Sequence, residues 1–279
     1  GDGFLGTNLV RELLGRNYRV RILTEPGREP VTLAGLDVEV LHGDIRSAAD
    51  FAKAAENCDY LVHTAASTSI WPARSTFLEE INIEGTRNAL QAAELAGVKR
   101  LIHVGSANSF GFGTADDPGD ETREYSSARY GLGYMDTKRQ AHELVLDATE
   151  TKGLPALVVA PTFMLGPYDT KPGSGRMILS VAHREVPGYT LGGRCYIYVK
   201  DVACGIANAL TKGKTGESYI FGNENLTYKD VFSIMAEVAG VKAPGLKVPP
   251  AVSLIAGAFG SFFGRILNKE PKISLPMAR

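Results

Sequence analysis

Short β-branched runs alternate with longer amphipathic stretches through the first 160 residues of the chain. YRVRILT (18–24), VEVLH (38–42), YLVHT (60–64), RLIHVGS (100–106) and ALVVA (156–160) have the near-continuous apolar character of buried parallel strands. Between them lie FLGTNLVRELLGR, AADFAKAAEN, FLEEINIEGTRNALQAAELAG and YMDTKRQAHELVLDATETKG. Their apolar residues recur at three and four, the helical interval, and Gly97 and Gly153 stand where a helix would stop.

This alternation predicts an α/β fold, a doubly wound parallel (Rossmann) sheet covered on both faces, with ligands at the carboxyl ends of its strands. After Pro161 the pattern loosens into PTFMLGPYDTKPGSGR, a loop rich in Gly and Pro, and later elements are fewer. We expect a dinucleotide-binding domain at 1–165 and 199–222, because ESYIFG (217–222) reads as a returning strand of the main sheet. A smaller substrate-binding part takes 166–198 and 223–279.

Composition narrows the function. A chain of 279 residues with 44% hydrophobic and 22% charged residues is an ordinary globular protein. A net charge of −1 argues against nucleic acid as a partner. Cys58, Cys195 and Cys204 have no metal-ligand spacing and the five histidines are scattered, so no metal site is expected. Three unpaired cysteines and no visible signal peptide fit a cytoplasmic setting. VPPAVSLIAGAFGSFFG (248–264) carries no charge. Its preferred reading is a buried helix or a lid over an apolar pocket, and contact with a membrane surface is the alternative.

The chain opens GDGFLG, in which Gly1, Gly3 and Gly6 form Gly-x-Gly-x-x-Gly. The motif is weak alone. Here an amphipathic helix follows it, then a strand that ends in Glu25, 19 residues after Gly6. That is close to the interval of about 20 residues at which an acid accepts from the adenosine ribose 2′-hydroxyl. Small residues admit the backbone to a pyrophosphate, and the helix N-terminus supplies free N–H groups. Such a loop needs a strand before it, so the first strand of the sheet is expected to be missing from this sequence. Asp44, in GDI (43–45) after VEVLH, is placed to accept from the adenine amino group; the alternative is the N-cap region of the next helix. In HTAAS (63–67), Thr64, Ala65 and Ala66 are small enough for a cofactor to pass over, and His63 reads as a satisfied structural side chain.

The candidate chemistry is in YMDTK (134–138), where a helix puts Tyr134 and Lys138 on one face. Tyrosine titrates near ~10 and is a poor base at neutral pH. An ammonium one turn away, with an oxidised nicotinamide, would favour phenolate; bringing the phenol from ~10 to near 7 requires roughly 4 kcal/mol. Ser106, ending the strand RLIHVGS, can hydrogen-bond a substrate oxygen at the same edge. Tyr196 and Lys200 in YIYVK share the spacing but read as an extended strand, which separates them.

Together these motifs resemble the extended short-chain dehydrogenases/reductases of the NAD-dependent epimerase/dehydratase group. The likeness runs through GDGFLG, GDI, HTAA, INIEGTRN (81–88), VGSANSFG (104–111), YMDTK, APTFMLGP (160–167) and YVKDVA (198–203), nearly the whole chain. STSIWPARS (67–75), KPGSGRMI (171–178) and GESYIFGNENLTYKDV (216–231) are most similar to bacterial dihydroflavonol-4-reductase-like and hopanoid-associated epimerase-like proteins.

The resemblance implies a catalytic set of Ser106, Tyr134 and Lys138, with Tyr134 as proton donor or acceptor and Lys138 also on the nicotinamide ribose. It implies Asn82 near the site, against the alternative of a helix-surface residue. It implies that Gly1, Gly3, Phe4, Leu5, Gly6, Asp44 and Ile45 bind the cofactor, with Pro161 and Thr162 near its nicotinamide. It also implies a chain about fifty residues longer at the C-terminus and a homodimer paired through two helices. Reductases of this group that prefer NADP often have Arg at the Glu25 position, so a carboxylate there favours NAD, although Arg28 could reverse this. The expected reaction is hydride transfer between NAD(P) and a carbonyl or alcohol of an apolar or ring-bearing small molecule. The alternatives are a nucleotide-sugar epimerase with tightly bound NAD, in which Arg194 would meet the substrate pyrophosphate, and a non-catalytic cofactor-sensing protein. Ala107 and Asn108 after Ser106 replace the Asp-Glu pair of the dehydratases.

Overall fold

A computed structural model describes residues 1–267, 269–271 and 273–278. The chain runs α1 (Phe4–Gly15), β1 (Val20–Thr24), β2 (Val38–His42), α2 (Ala48–Ala55), β3 (Tyr60–His63), α3 (Thr76–Glu79), α4 (Gly85–Ala96), β4 (Arg100–Val104), α5 (Gly133–Lys152) and β5 (Ala156–Pro161). There follow β6 (Phe163–Leu165), α6 (Gly175–Ala182), β7 (Gly188–Tyr189), β8 (Gly193–Tyr198), α7 (Val199–Lys212), β9 (Ser218–Phe221), β10 (Glu224–Thr227), α8 (Tyr228–Val238), β11 (Leu246–Lys247), α9 (Pro250–Leu267) and α10 (Leu275–Ala278).

The five strands expected in the first 160 residues are present, and all their pairings are parallel. β1 pairs with β2, while β3, β4, β5 and β9 form a four-stranded sheet in that order. ESYIFG thus returns to the main sheet as β9, with Val159 opposite Tyr219. Successive strand residues point to opposite faces, so both faces must be covered. On one, Ile102, Val104, Leu157 and Val159 pack against Leu5 and Leu9 of α1 and Val202, Ile206 and Leu210 of α7. On the other, Leu61, Leu101, Ala156 and Val158 meet Phe51 of α2, Ala89, Ala92 and Ala93 of α4 and Val145 of α5. This is the doubly wound α/β arrangement. Gly97 and Gly153 end α4 and α5 in the left-handed conformation, at φ 61° and 66°.

The later segments build a second body. β8 pairs parallel with β6 and antiparallel with β10, and β7 pairs with β11. Val181, Tyr196, Val231, Met235 and Ala236 form its core. Tyr196 lies on β8 and Lys200 on α7, so they do not form a helical pair.

Two expectations need correction. The helix foreseen across 77–97 is interrupted by a π-helical turn, Glu80–Glu84, which carries Asn82 into the interior. Asn82 is therefore not a helix-surface residue. Second, the apolar segment 248–264 is not a buried helix. It forms most of α9, of which only Gly257 and Gly264 are buried. The side that packs is the glycine side: a Cβ on Gly260 would run into the Ile273 carbonyl, and one on Gly257 would lie 2.8 Å from that of Ser274. Contact between backbones leaves the bulky residues pointing away.

Candidate active site

The glycine turn is built for close backbone approach. Gly3 caps α1 with no side-chain hydrogen bond, so the first amides of the helix are not occupied by a cap. A Cβ on Gly6 would overlap the Gly1 carbonyl, so only glycine lets residues 1–3 lie against the start of the helix. Small residues, free amides and the dipole make a cradle that fits a dinucleotide pyrophosphate. Phe4 and Leu5 continue α1 from this cradle, and Leu5 anchors it in the core.

At the end of β1, Glu25 is exposed and its carboxylate lies 3.5 Å from the Arg28 guanidinium. Arg28 is held more closely by Asp2, whose carboxylate lies 2.5 Å from Nε. Asp2 and Arg28 line a cleft of about 250 Å³ with Glu29, Val31, Thr32, Thr170 and Lys171. Sequence reasoning missed Asp2, because nothing in its spacing marks an ion pair with a residue beyond the next strand.

After β2, Arg46 grips the Asp44 carboxylate through Nε (2.9 Å) and Nη2 (2.6 Å), holding it below the usual carboxylate range. The helix cap is Ser47, which accepts from the Asp50 amide. Asp44 is thus free of the capping role that was its alternative. It lines a cleft of about 520 Å³ with Arg46, Ser47, Glu80, Glu84 and Asn88. The Ile45 carbonyl accepts from Asn88, which fixes this turn. Neither cleft is lined by Tyr134 or Ser106.

Thr64, Ala65 and Ala66 follow β3 and are half-buried. Asn82 clamps the next residue: its Oδ1 accepts from Ser67 N (2.8 Å), and its Nδ2 donates to Ser67 O (3.0 Å) and Thr137 Oγ1 (3.0 Å). These three bonds tie the 64–67 segment to α5. Asn82 thus holds the start of the 67–75 segment against α5.

Ser106 lies just beyond β4, buried, and accepts from Asn108 N (3.2 Å). Tyr134 lies in the first turn of α5, half-buried. Its phenol is pushed above the ordinary tyrosine value by burial, partly offset by the neighbouring Ser106 hydroxyl. Lys138, one turn on, is buried and donates from Nζ to the Val104 carbonyl at 2.6 Å. Burial brings it down to about 8. The Lys138 ammonium is turned toward β4. Pro161 ends β5, and Thr162 N donates to Phe221 O while its hydroxyl is buried without a partner among the described residues.

Beneath these groups lie three buried histidines. His63 and His103 are register partners on β3 and β4 with ring centroids 5.4 Å apart, and His142 Nε2 meets Ser218 Oγ at 2.8 Å. His63 Nε2 and both His103 nitrogens have no hydrogen-bond partner among the described residues, so His63 is structural but not satisfied. Burial, reinforced by the Lys138 charge, holds His63 near about 3 and His103 well below its ordinary value. Parallel register brings His63 and His103 together; a strand pattern read without register does not show it.

Arg194 stacks 4.6 Å over the Phe163 ring and donates to the Tyr228 hydroxyl at 2.8 Å. Its guanidinium already has partners within the second body.

The NAD dependent epimerase/dehydratase family matches residues 1–222. The chain is 33% identical over 250 residues to sterol demethylase protein B of Methylococcus capsulatus, covering 89% of this chain and 75% of that protein. It is 29% identical over 278 residues to a 4-hydroxy-2-methyl-3-oxo-4-farnesyl-3,4-dihydroquinoline-1-oxide ketoreductase of Stigmatella aurantiaca, covering 98% and 81%. The crystal structure of gox2253 superposes with a TM-score of 0.86 at 33% identity, covering 99% of this chain and 84% of that one.

Proposed function

We propose that this chain, which belongs to the NAD-dependent epimerase/dehydratase family, is a reductase or dehydrogenase acting on a carbonyl/alcohol pair of an apolar, ring-bearing molecule. The observation that carries the reading is the placement of buried Ser106 just beyond β4 and of Tyr134 and Lys138 one turn apart on α5, with Lys138 reaching across to the β4 carbonyl of Val104. Relatives named for a sterol and for a farnesylated quinoline ketone support the substrate class.

The glycine cradle of residues 1–6 fits the pyrophosphate, and the carboxyl ends of β3, β4 and β5 leave Thr64–Ala66, Ser106 and Thr162 along one edge for the rest of the dinucleotide. Bound there, NAD supplies the hydride acceptor or, reduced, the donor. Tyr134 then handles the proton. Because burial raises its pKa, the phenol is protonated at neutral pH and stands ready to give its proton to a carbonyl oxygen undergoing reduction. Ser106 orients that oxygen and offsets part of the burial. The reverse direction requires phenolate, favoured by the positive charge of oxidised nicotinamide and by Lys138 once it turns from Val104 toward the ribose.

The test is an assay of the purified protein with NADH against sterol ketones, aromatic ketones and UDP-sugars, each repeated with Tyr134→Phe. Tyr134-dependent NADH consumption on a ketone supports the reading. Epimerisation of a UDP-sugar without net NADH consumption overturns it in favour of an epimerase.

A further inference from the structure

The outward face of α9 is apolar at helical spacing. Val252, Ile255, Phe259, Phe262, Phe263, Ile266 and Leu267 are all exposed, each more than half accessible. Steps of three, four and one place them on one stripe of a helix. The opposite stripe, with Gly257, Gly260 and Gly264, is closed against Pro271, Ile273, Ser274, Leu275 and Trp71; a Cβ on Gly264 would lie 3.1 Å from the Trp71 ring. The polarity of an ordinary surface helix is inverted, with small residues inward and the largest apolar ones outward. An apolar patch of this continuity needs a partner.

We propose that α9 is a membrane-docking helix that lies in the interface of an anionic phospholipid bilayer with its aromatic stripe inserted. Charge complementarity selects that partner. Exposed Lys242 and Lys247 precede the stripe, Arg265 and Lys269 stand at its end, and Glu270 is the single carboxylate between residues 240 and 279. The chain as a whole carries −1, so this basic rim is local to the apolar stripe. Basic residues flanking an apolar helical face match anionic headgroups over acyl chains. The packed glycine side fixes the orientation: a helix held through Gly257, Gly260 and Gly264 against the segment that follows it and Trp71 lies on the bilayer and does not cross it. The contact with Trp71 sets the docked helix beside the 67–75 segment, whose start Asn82 ties to α5.

The experiment is co-sedimentation of the full chain with vesicles of phosphatidylcholine containing phosphatidylglycerol, and with phosphatidylcholine alone, at low and high salt. The variants are Phe259→Glu/Phe263→Glu and Lys247→Glu/Arg265→Glu. NADH binding measured in parallel confirms that each variant is folded. The expected result is pelleting with anionic vesicles that weakens with salt and falls at least about tenfold in both variants. Absence of pelleting, or pelleting equal in wild type and the Phe variant, overturns the proposal. So does sedimentation velocity showing a homodimer that Phe259→Glu/Phe263→Glu dissociates while vesicle binding is absent, since a second copy then covers the stripe.

Discussion

The Lys138 ammonium donates to the Val104 carbonyl at 2.6 Å, deep between α5 and β4. No carboxylate accompanies it in that contact, and three neutral histidines lie beneath. A buried cation with one neutral acceptor is costly to keep charged, and burial brings it from 10.5 to about 8. The depressed value has a definite sign in stability. Above about 10.5 the lysine is neutral in both states and adds no penalty; as pH falls toward 8 the unfolded chain takes up a proton that the folded one resists. Below 8 the full penalty, about 3 kcal/mol, is present. Lys138→Met removes it and loses one hydrogen bond worth about 1 kcal/mol. Thermal melts should therefore show the variant more stable than wild type at pH 7, by up to ~2 kcal/mol, with the gain shrinking toward pH 10. The same variant should be nearly inactive, and a variant less stable at pH 7 would refute the argument.

Acid should unfold the protein through its interior histidines. His63 titrates near about 3 and His142 near about 4 in the fold, with burial the largest cause of each, against 6.5 when unfolded. Their depressed values mean stability that is complete above pH 6.5 and lost as pH falls through the folded values. Each histidine adds a slope of up to about 1.4 kcal/mol per pH unit across that window. His63→Leu deletes one such proton and also a buried nitrogen without a partner. Urea titrations between pH 4.5 and 7 should give a shallower pH dependence for this variant; an unchanged slope would place the acid sensitivity elsewhere.

Tyr134→Phe keeps the ring and removes the proton. We expect kcat to fall by about 10²–10⁴ while NADH affinity changes little, measured by turnover and by NADH fluorescence titration. The raised phenol adds a directional signature. Carbonyl reduction should proceed with the phenol protonated and decline only at alkaline pH, whereas alcohol oxidation should rise as pH increases. Parallel pH profiles in both directions would contradict a single Tyr134 proton.

The parts of this molecule visible in its sequence are those governed by local period. Buried strands, three-four helices and the glycine stops at 97 and 153 depend on neighbours a few residues away, and they are found where the pattern puts them. Ser106, Tyr134 and Lys138 follow from motif and helix geometry alike. What was hidden depends on register or on unusual turns. Parallel pairing joins His63 to His103 across forty residues, and the π-turn at Glu80–Glu84 carries Asn82 inward. Neither leaves a local trace. Apolar content marked 248–264 as a helix, but only the partners of its glycines decide that the apolar side faces out.

Asn82 offers a test of positioning as distinct from chemistry. Its amide makes three hydrogen bonds to Ser67 and Thr137, and its removal leaves the part-buried Ser67 backbone and the buried Thr137 hydroxyl without these partners. Asn82→Ala should lower stability by about 1–3 kcal/mol in urea unfolding, since that is the usual penalty for an orphaned buried polar group. Its turnover should fall with the pH profile unmoved, because the titrating phenol remains.

Cofactor choice turns on Asp2. A 2′-phosphate at the ribose would need a free cation at the end of β1, and Arg28 is the arginine there. Asp2 holds its Nε at 2.5 Å, and Glu25 stands 3.5 Å from the same guanidinium, where its carboxylate would accept from a ribose hydroxyl and repel a phosphate. Wild type should thus use NADH well ahead of NADPH in kcat/KM. Asp2→Asn keeps the shape of the loop and releases Arg28, so KM for NADPH should fall by roughly tenfold, the size of one charge-assisted hydrogen bond. Glu25→Gln on top of it should extend the effect by removing the repulsion. If Asp2→Asn leaves the NADPH/NADH ratio unchanged while Glu25→Gln alone moves it, Arg28 has no part in the choice and the discrimination rests on the carboxylate at position 25.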